Sequence, residues 1–548
     1  MKFNFSRYGL EGKEEMLERL FEIMPGLCSW SILLGVTALS IFKPLAAAVF
    51  IIAFDLYWIF KLFYMNIFLV LSYLRLSVED KTDWMMRARG LDNLEAYSEQ
   101  LHVNLLKSTL KEKASFFIHQ FQVEKLRKSN SLPPPSEDLY HLVIIPIARE
   151  PREIVEPGVE SIGKGEFPAK RILVVLALEG RAKPDVKKGI YDLQKSHVNE
   201  FLDLLVVEHP DGLLEEAKVK GANATYAAKK AAEYFREKGI RFENIITSCF
   251  DADTVVRSDY FSCLTYNFMV EPNRHYVSFQ PIPVYHNNIW EAPSFARVLD
   301  VGSSFFQLIE ATNPEKLVTF SSHSMSFKAL VDVGFWPVDM ISDDSAIYWK
   351  ALIYYDGKYS AVPLYVKLSM DVATGKNWWE TFLNVYKQKR RWAWGVENFP
   401  IVTRAFLKDN KIPINKKIMY AFKLFEGHIS WATWPFLLTL IGWLPVLIAG
   451  REFTQTTVYY IAPRITGMIF KLASLGLLSC IFLSVLLLPK QIGQGRAERL
   501  SRKIRHVFEW LLVPLVSIFL SAIPALDAQT RLMWGKYMEF WVTLKKRK

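Results

Sequence analysis

The chain has 548 residues, of which 51% are hydrophobic and 14% aromatic, and a formal net charge of +11. This length suggests about two or three domains, and the content of apolar residues and Trp exceeds what a soluble enzyme needs. Excess Lys and Arg in a membrane protein usually lie in cytoplasmic loops, so the charge does not indicate a nucleic-acid partner. The four cysteines have neither metal-ligand spacing nor a secreted framework, and we expect free thiols.

Two membrane helices are predicted near the N-terminus. Residues 1–25 are polar and lack the short apolar core of a signal peptide. Residues 27–76 are almost wholly apolar, and since a membrane helix needs ~20 residues, they predict spans near 26–42 and 46–70. Asp55 in the second span is either a functional charge facing a polar channel or a partner in a hydrogen bond between helices.

An alternation of strands and helices follows a proline-rich boundary at 131–135. Short apolar runs predict buried strands at 142–146, 171–179, 204–208 and 245–250. Charged or Ala-rich segments between these runs predict helices. The alternation is typical of an α/β fold with a doubly wound, mostly parallel sheet and helices on both faces. Carboxylates at successive strand ends indicate that a ligand lies along that edge.

Two acidic pairs are candidates for chemistry. Asp251 and Asp253 follow the fourth predicted strand, where carboxylate oxygens suit Mg²⁺ or Mn²⁺, although an ordinary surface turn is the alternative. Asp343 and Asp344 precede an apolar helix predicted over 345–355. Capping by Ser342 or Asp343 accounts for one of these acids, whereas repulsion between the two raises one pKa toward that of a general base.

A basic, aromatic helix is predicted around residues 377–394. Its apolar side chains recur at helical spacing, as in a helix that lies on a membrane surface. Gln388, Arg391 and Trp392 are spaced so that they share one face. An interfacial helix without a chemical role is the alternative interpretation.

Further apolar spans are predicted near 428–449, 465–489 and 507–526, and the basic segment 490–506 between the last two indicates the cytoplasmic side. Pro514 and Pro524 interrupt the last span. Because proline breaks helices, we expect a re-entrant or broken hairpin over 507–541 with the C-terminus in the cytosol. A surface helix over 533–544 is the alternative.

Taken together, these features resemble the membrane-embedded, processive family-2 glycosyltransferases, the group of cellulose, chitin and hyaluronan synthases. The resemblance extends over about the whole chain. Asp251-Ala252-Asp253 resembles the family's D-x-D motif, which implies a metal held by Asp253 with help from Asp251. Ser342-Asp343-Asp344 resembles its catalytic acid motif, in which the last acid, here Asp344, is the base. Residues 388–392 form an intact Q-x-x-R-W motif, associated with acceptor and diphosphate binding.

The resemblance also implies nucleotide contacts at less specific positions. Pro146 and Glu150 resemble the opening nucleotide-binding turn, and Lys220 and Asn223 belong to a stretch that resembles a further family motif. Glu179 stands where the family usually has an Asp that contacts the nucleotide base. This departure, and Asp343 in place of the more usual Glu, weaken the assignment of nucleotide contacts but leave the base in place.

The implied architecture is a GT-A-like cytoplasmic domain embedded between membrane segments. Its parts are a cytosolic N-terminus with two membrane helices (1–77), a helical linker (78–136), the transferase domain (137–370), interface helices (371–427) and a C-terminal membrane region (428–548).

The implied activity is an inverting transfer from a nucleotide-diphosphate sugar, with UDP as the expected nucleotide, to a growing glycan. Processive synthesis would be coupled to membrane translocation, with Mg²⁺ or Mn²⁺ as cofactor, membrane lipid as a partner and no nucleic acid. Arg391 would bind the phosphates, and Trp392 would offer an apolar platform for a sugar ring. Non-processive transfer to a lipid-linked acceptor is an alternative.

Two other classes remain open. Asp251-x-Asp253 also resembles the first motif of haloacid-dehalogenase-type phosphatases, although that motif normally follows the first strand of its domain. A membrane protein with catalytically idle acids is the non-enzymatic alternative.

Overall fold

The structure, a computed structural model, describes residues 3–107, 110–129, 131–213, 216–448, 450–489 and 495–538. Within these ranges one mixed sheet carries the candidate site, and long helices precede and follow it in the chain. The strands are β1 (Tyr140–Ile147), β2 (Ile172–Glu179), β3 (Asp203–His209), β4 (Ile245–Cys249), β5 (Val255–Val256), β6 (Val277–Val284), β7 (Ser324–Ser326) and β8 (Ser360–Ser369).

The strand order is β3-β2-β1-β4-β7-β6-β8-β5. Strands β1 to β4 pair in parallel, as predicted, but β7 is antiparallel to both β4 and β6, and β5 is antiparallel to β8. The sheet as a whole is therefore mixed. The carboxyl ends of β1, β2 and β4 meet at one edge, where a parallel sheet binds its ligands.

Burial explains why the parallel half was predictable. Every residue of β2 is buried, because helices cover both faces of the sheet. The helix Lys220–Glu237 packs through alanines such as Ala224, Ala228 and Ala231, which repeat every three or four residues and are fully buried.

The main helices include several that the sequence did not predict, such as Tyr260–Val270 and Ser294–Ala311. They are Lys13–Phe42, Pro44–Glu79, Trp84–Gly90, Leu94–Lys107, Leu110–Lys128, Arg152–Gly163, Pro184–His197, Lys220–Glu237, Tyr260–Val270, Ser294–Ala311, Phe327–Asp332, Asp343–Tyr354, Trp378–Ala393, Asn398–Lys408, Ile414–Thr439, Leu444–Leu447, Arg451–Thr454, Thr457–Leu487, Arg496–Glu509, Val513–Ser517 and Ile523–Met533.

Several helices are long and apolar enough to cross a membrane. In the part of the chain that the structure describes, four pass this test on length and composition: Lys13–Phe42, Pro44–Glu79, Thr457–Leu487 and Ala497–Met533. A fifth candidate is the pair Ile414–Thr439 and Ile441–Leu447, which is bent by 47°.

The predicted hairpin is wrong for residues 507–533, where the chain continues as one helical path. Pro514 and Pro524 each stand at the start of an α-helical segment, and a π-helical turn at Ile518–Ala522 precedes the second proline. The wider turn relieves the clash that proline makes with the preceding carbonyl group. The C-terminal residues 539–548, with the predicted cytosolic end, lie outside the described residues.

Two smaller predictions can be compared with the structure. Asp55 is buried and accepts a hydrogen bond from Thr466 Oγ1 at 2.9 Å. This contact between two helices agrees with the second of the two roles considered for Asp55. All four cysteines are free thiols, as predicted.

Candidate active site

Two acids from different motifs converge on one lysine at the edge of the sheet. Lys220 Nζ lies 2.8 Å from Asp251 Oδ1 and 2.9 Å from Asp344 Oδ1. The side chains of Asp251 and Asp344 are 24% and 21% exposed, whereas that of Lys220 is 8% exposed. The lysine is therefore buried, and the two carboxylates that it contacts are partly open to solvent; we call this side of the site the cleft.

The electrostatics of this cluster favour charged groups. Burial alone lowers the pKa of Lys220, but the nearby carboxylates of Asp251 and Asp344 outweigh it and raise that pKa well above its usual range. Lys220 is therefore a charged ammonium group that forms ion pairs with two partly exposed carboxylates.

Close backbone packing places Lys220 here. Lys220 begins the helix Lys220–Glu237, and Gly221 follows it. A Cβ atom on Gly221 would lie 2.3 Å from the Pro337 carbonyl oxygen and 2.9 Å from Asp343 Cβ. Only glycine lets this helix approach the acidic loop so closely.

The other acid of each motif lies beneath the cleft. Asp253 is 0% exposed, and its Oδ2 accepts a hydrogen bond from the Asp371 backbone N–H at 2.8 Å. Asp343 is 2% exposed, and among the described residues its Oδ2 has no hydrogen-bond partner. Burial first, and repulsion by Asp344 second, raise the pKa of Asp343 well above its usual range. Asp343 therefore keeps its proton to a higher pH than an ordinary carboxyl group does.

The loop before β7 supports the exposed acids. Ser321 Oγ donates a hydrogen bond to Asp251, and the Asp251 backbone N–H donates to Ser322 Oγ at 3.2 Å. Ser322 has a φ of 61°, a left-handed conformation that costs a non-glycine residue about 1–3 kcal/mol and often occurs at functional sites.

A buried histidine lies behind Asp344. His323 Nδ1 lies 3.6 Å from Asp344 Oδ1, and Trp336 Nε1 donates to His323 Nε2 at 3.4 Å. Burial lowers the pKa of His323 to about 4, so the imidazole is neutral near pH 7. Sequence reasoning missed His323 as a site residue.

The Q-x-x-R-W helix, Trp378–Ala393, carries the indole of Trp392, which neighbouring side chains contact. Lys389 Nζ lies 3.6 Å from the centroid of the Trp392 ring and 2.9 Å from Asp300 Oδ1. The Phe320 ring meets the same indole edge to face at 5.3 Å between centroids. Trp392 is half-buried, whereas Gln388 is buried. A cation on one ring face fixes the indole and leaves less of it for a ligand.

The remaining predicted contacts hold local structure. Glu179, at the end of β2, is buried and bound by Arg181. Asn223 Nδ2 donates to the Ala177 carbonyl oxygen at 2.7 Å, and Glu150 Oε2 accepts the N–H groups of Ala148 and Arg149 at 2.9 Å.

Pro146 pairs in register with Ala177, so β1, β2 and the lysine helix meet at the predicted edge. Arg391 is partly exposed. No contact described above assigns these residues to a nucleotide, and their roles stay predictions.

Comparison with known proteins finds similarity to glycosyltransferases. Residues 246–488 match the family described as "Glycosyl transferase family group 2". The chain is 27% identical over 291 residues to poly-beta-1,6-N-acetyl-D-glucosamine synthase of Staphylococcus epidermidis, a match covering 52% of this chain and 60% of that protein. It is 28% identical over 294 residues to the synthase of the same name from Staphylococcus aureus strain COL, covering 53% and 61%.

Two solved structures are also similar. A mannosyltransferase from Pyrobaculum calidifontis in complex with GDP-Man and Mn²⁺ has a TM-score of 0.40 at 14% identity, covering 81% of this chain and 100% of that one. S. aureus TarS 1–349 in complex with UDP-GlcNAc has a TM-score of 0.30 at 11% identity, covering 58% and 93%.

Residues 246–488 are therefore similar to a family-2 glycosyltransferase, the family that the motifs of this chain also resemble. The D-x-D acids, the second acid pair and the Q-x-x-R-W helix all lie within the matched residues. The chain spans about 60% of the length of the curated relative from S. epidermidis. The family match favours sugar transfer over the phosphatase and idle-protein alternatives.

Proposed function

We propose that the protein is an inverting, membrane-embedded glycosyltransferase that moves a sugar from a nucleotide-diphosphate sugar to a growing glycan. The observation that carries this proposal is the cluster of Asp251, Asp344 and Lys220 at the carboxyl edge of the sheet. The cluster supports the proposal because it brings two partly exposed carboxylates together on one ammonium group, and both carboxylates lie within the residues that match the family-2 model.

The donor side of the cleft suits a diphosphate and a divalent ion. Asp251 is partly exposed and pairs with the Lys220 ammonium, so its carboxylate is available to a cation. Carboxylate oxygens are the ligands that Mg²⁺ and Mn²⁺ prefer. Asp251 would hold the ion from the cleft, and Asp253 would support it from below. When bound, the ion would neutralise charge on the diphosphate leaving group. Lys220 and Arg391 would add positive charge for the same phosphates.

Asp344 is the group we assign as general base. Its carboxylate takes the proton from the acceptor hydroxyl as that oxygen attacks the anomeric carbon and the nucleotide diphosphate departs. A single displacement of this kind inverts the anomeric configuration and needs no second nucleophile. Because burial raises the pKa of Asp343, this residue adds less negative charge beside Asp344 than an ordinary carboxyl group would.

The acceptor side would be formed by the Q-x-x-R-W helix. The half-buried Trp392 offers an apolar ring on which a sugar can stack, and Lys389 and Asp300 hold that ring in place. The candidate membrane helices before and after the domain support processive synthesis coupled to translocation, with the catalytic domain on the cytoplasmic face. Transfer to a lipid-linked acceptor is the alternative, and product length distinguishes the two.

The names of the curated relatives suggest N-acetylglucosamine as the first sugar to test. The full chain in lipid nanodiscs would receive radiolabelled UDP-N-acetylglucosamine with Mn²⁺ or Mg²⁺, and UDP-glucose in parallel. We expect labelled product that is resolved by size into long chains. Absence of transfer from every nucleotide sugar would contradict the proposed function, and single-sugar lipid products would contradict processivity.

A further inference from the structure

A buried carboxylate outside the predicted motifs holds the acidic loop. Glu397 ends the turn that follows the Q-x-x-R-W helix and is 2% exposed. Its Oε1 accepts two hydrogen bonds from Ser342, one from the backbone N–H and one from Oγ, both at 2.8 Å. Ser342 directly precedes Asp343 and Asp344, so one carboxylate fixes the residue from which the acid pair begins.

This contact replaces the cap that the sequence predicted. Ser342 precedes the helix Asp343–Tyr354, but its side chain makes no capping bond to that helix. Its hydroxyl donates to Glu397 instead, and Asn398 Nδ2 donates to the same hydroxyl oxygen at 3.0 Å. The start of the helix is thus held by Glu397, which lies 55 residues after Ser342 in the sequence.

The second oxygen of Glu397 faces two donors. Oε2 accepts from Trp394 Nε1 at 2.9 Å and lies 3.3 Å from Arg7. Arg7 also donates to the Asp339 carbonyl oxygen at 2.7 Å, and Ser6 Oγ donates to Asp339 Oδ2 at 2.7 Å. The N-terminal segment and the turn that follows the Q-x-x-R-W helix therefore both contact the same loop, 339–342.

We infer that Glu397 is a positioning residue for Asp344, acting through Ser342, and that Arg7 extends this support to the N-terminal segment. The inference rests on the proposed function. Removing a buried carboxylate leaves the donors of Ser342, Trp394 and Arg7 without their acceptor, so the loop would shift. The shift would move Asp344 relative to the acceptor hydroxyl, whereas Asp251 and Glu179 on the donor side do not contact Glu397.

The test compares Glu397→Gln with the wild-type full chain in nanodiscs, measuring kcat and donor KM with radiolabelled UDP-N-acetylglucosamine. The side-chain amide of the variant has an NH₂ group in place of one carboxylate oxygen. This group would face Trp394 or Ser342, which are themselves hydrogen-bond donors, so at least one of the original hydrogen bonds is lost. Because misplacing a catalytic group by about 1 Å has large effects on rate, we expect kcat to fall at least about tenfold. Donor KM should stay within about twofold, since the interaction acts on the transition state.

Glu14→Gln is the matched control. Glu14 also belongs to the N-terminal region and pairs with Arg404 and Lys408, but it does not contact the acidic loop. Its kcat should stay within about twofold of wild type. An equal loss in both variants would assign Glu397 to general packing, and an unchanged kcat in Glu397→Gln would overturn the inference.

Two milder variants serve if Glu397→Gln does not fold. Ser342→Ala and Arg7→Met each remove one partner of Glu397, and both should lower kcat without raising donor KM. Wild-type kcat in both would overturn the inference. These outcomes are separate from failure of the proposed function, which would appear as an inactive wild-type chain.

Discussion

Aspartates lie both at the exposed edge of the cleft and in the layer beneath it, and the two groups differ in burial. Asp251 and Asp344 are partly exposed and share the Lys220 ammonium. Asp253 and Asp343 are buried, and burial raises the pKa of Asp343 well above its usual range. Each acidic motif thus contributes one acid to the cleft and one to its support. Motif spacing alone does not distinguish the two roles, because burial and a shared lysine decide them.

The largest effect should follow from Asp344→Asn. The amide cannot accept the proton of the acceptor hydroxyl, and loss of a general base typically costs about 10²–10⁴-fold in rate. We expect sugar transfer to fall by about that factor while the protein still inserts into membranes. Transfer measured with purified protein would check this, and a variant that keeps more than about a tenth of wild-type turnover would exclude Asp344 as the base.

The next effect concerns the other exposed acid. Asp251→Asn should lower transfer about 10²-fold, because it removes the carboxylate that faces the diphosphate and its ion. Chelation with EDTA should abolish wild-type transfer, and added Mn²⁺ or Mg²⁺ should restore it. Undiminished transfer in EDTA would contradict the metal assignment, whatever the variant does.

A smaller effect is expected on the acceptor side. Trp392→Ala should slow glycan elongation about tenfold, because a stacked sugar contributes on the order of 1–2 kcal/mol, while hydrolysis of the donor should change little. Lengths of labelled products and release of free sugar would be measured together. Equal loss of both reactions would make Trp392 a purely structural residue.

The smallest effect should come from the buried acid. Asp343→Asn removes an ionisable group, so the free energy of unfolding should change little at low pH and should differ more from that of the wild type as pH rises. Because the folded pKa is raised, wild-type Asp343 contributes stability that is fully present below the unfolded pKa, about 3.9, and is lost as pH rises toward the folded pKa. In the variant, the free energy of unfolding should not show this loss as pH rises. Thermal unfolding between pH 4 and 8 measures it, and identical pH profiles would contradict a raised pKa.

The two halves of the sheet show how far sequence reasoning reaches. Strands β1 to β4 were predicted because buried parallel strands form continuous apolar runs. Strand β7 has three residues, two of them serine, and shows no such pattern. Strand β6 contains Pro281 and Pro283, which argue against a strand, and its pairing with β8 shifts register after Pro281. The antiparallel insertion was therefore not predictable from local pattern.

The same division applies to the site. Asp251 and Asp344 were identifiable because they occur in short motifs beside predicted elements. Their common bond to Lys220 joins positions 31 and 124 residues apart, so no spacing predicts it. His323 and Glu397 act only through such long-range contacts. The helix through Pro514 and Pro524 also depended on a π turn that sequence does not reveal.

The most direct test measures transfer by Asp343→Asn and Asp344→Asn side by side, with the same donor, ion and nanodiscs. The two variants change neighbouring residues from acid to amide and differ only in which layer of the site they alter. The account predicts that Asp343→Asn retains at least about a tenth of wild-type transfer and exceeds Asp344→Asn by about 10²-fold or more. Equal loss in the two variants, or greater loss in Asp343→Asn, would contradict the division into an exposed reactive acid and a buried supporting one.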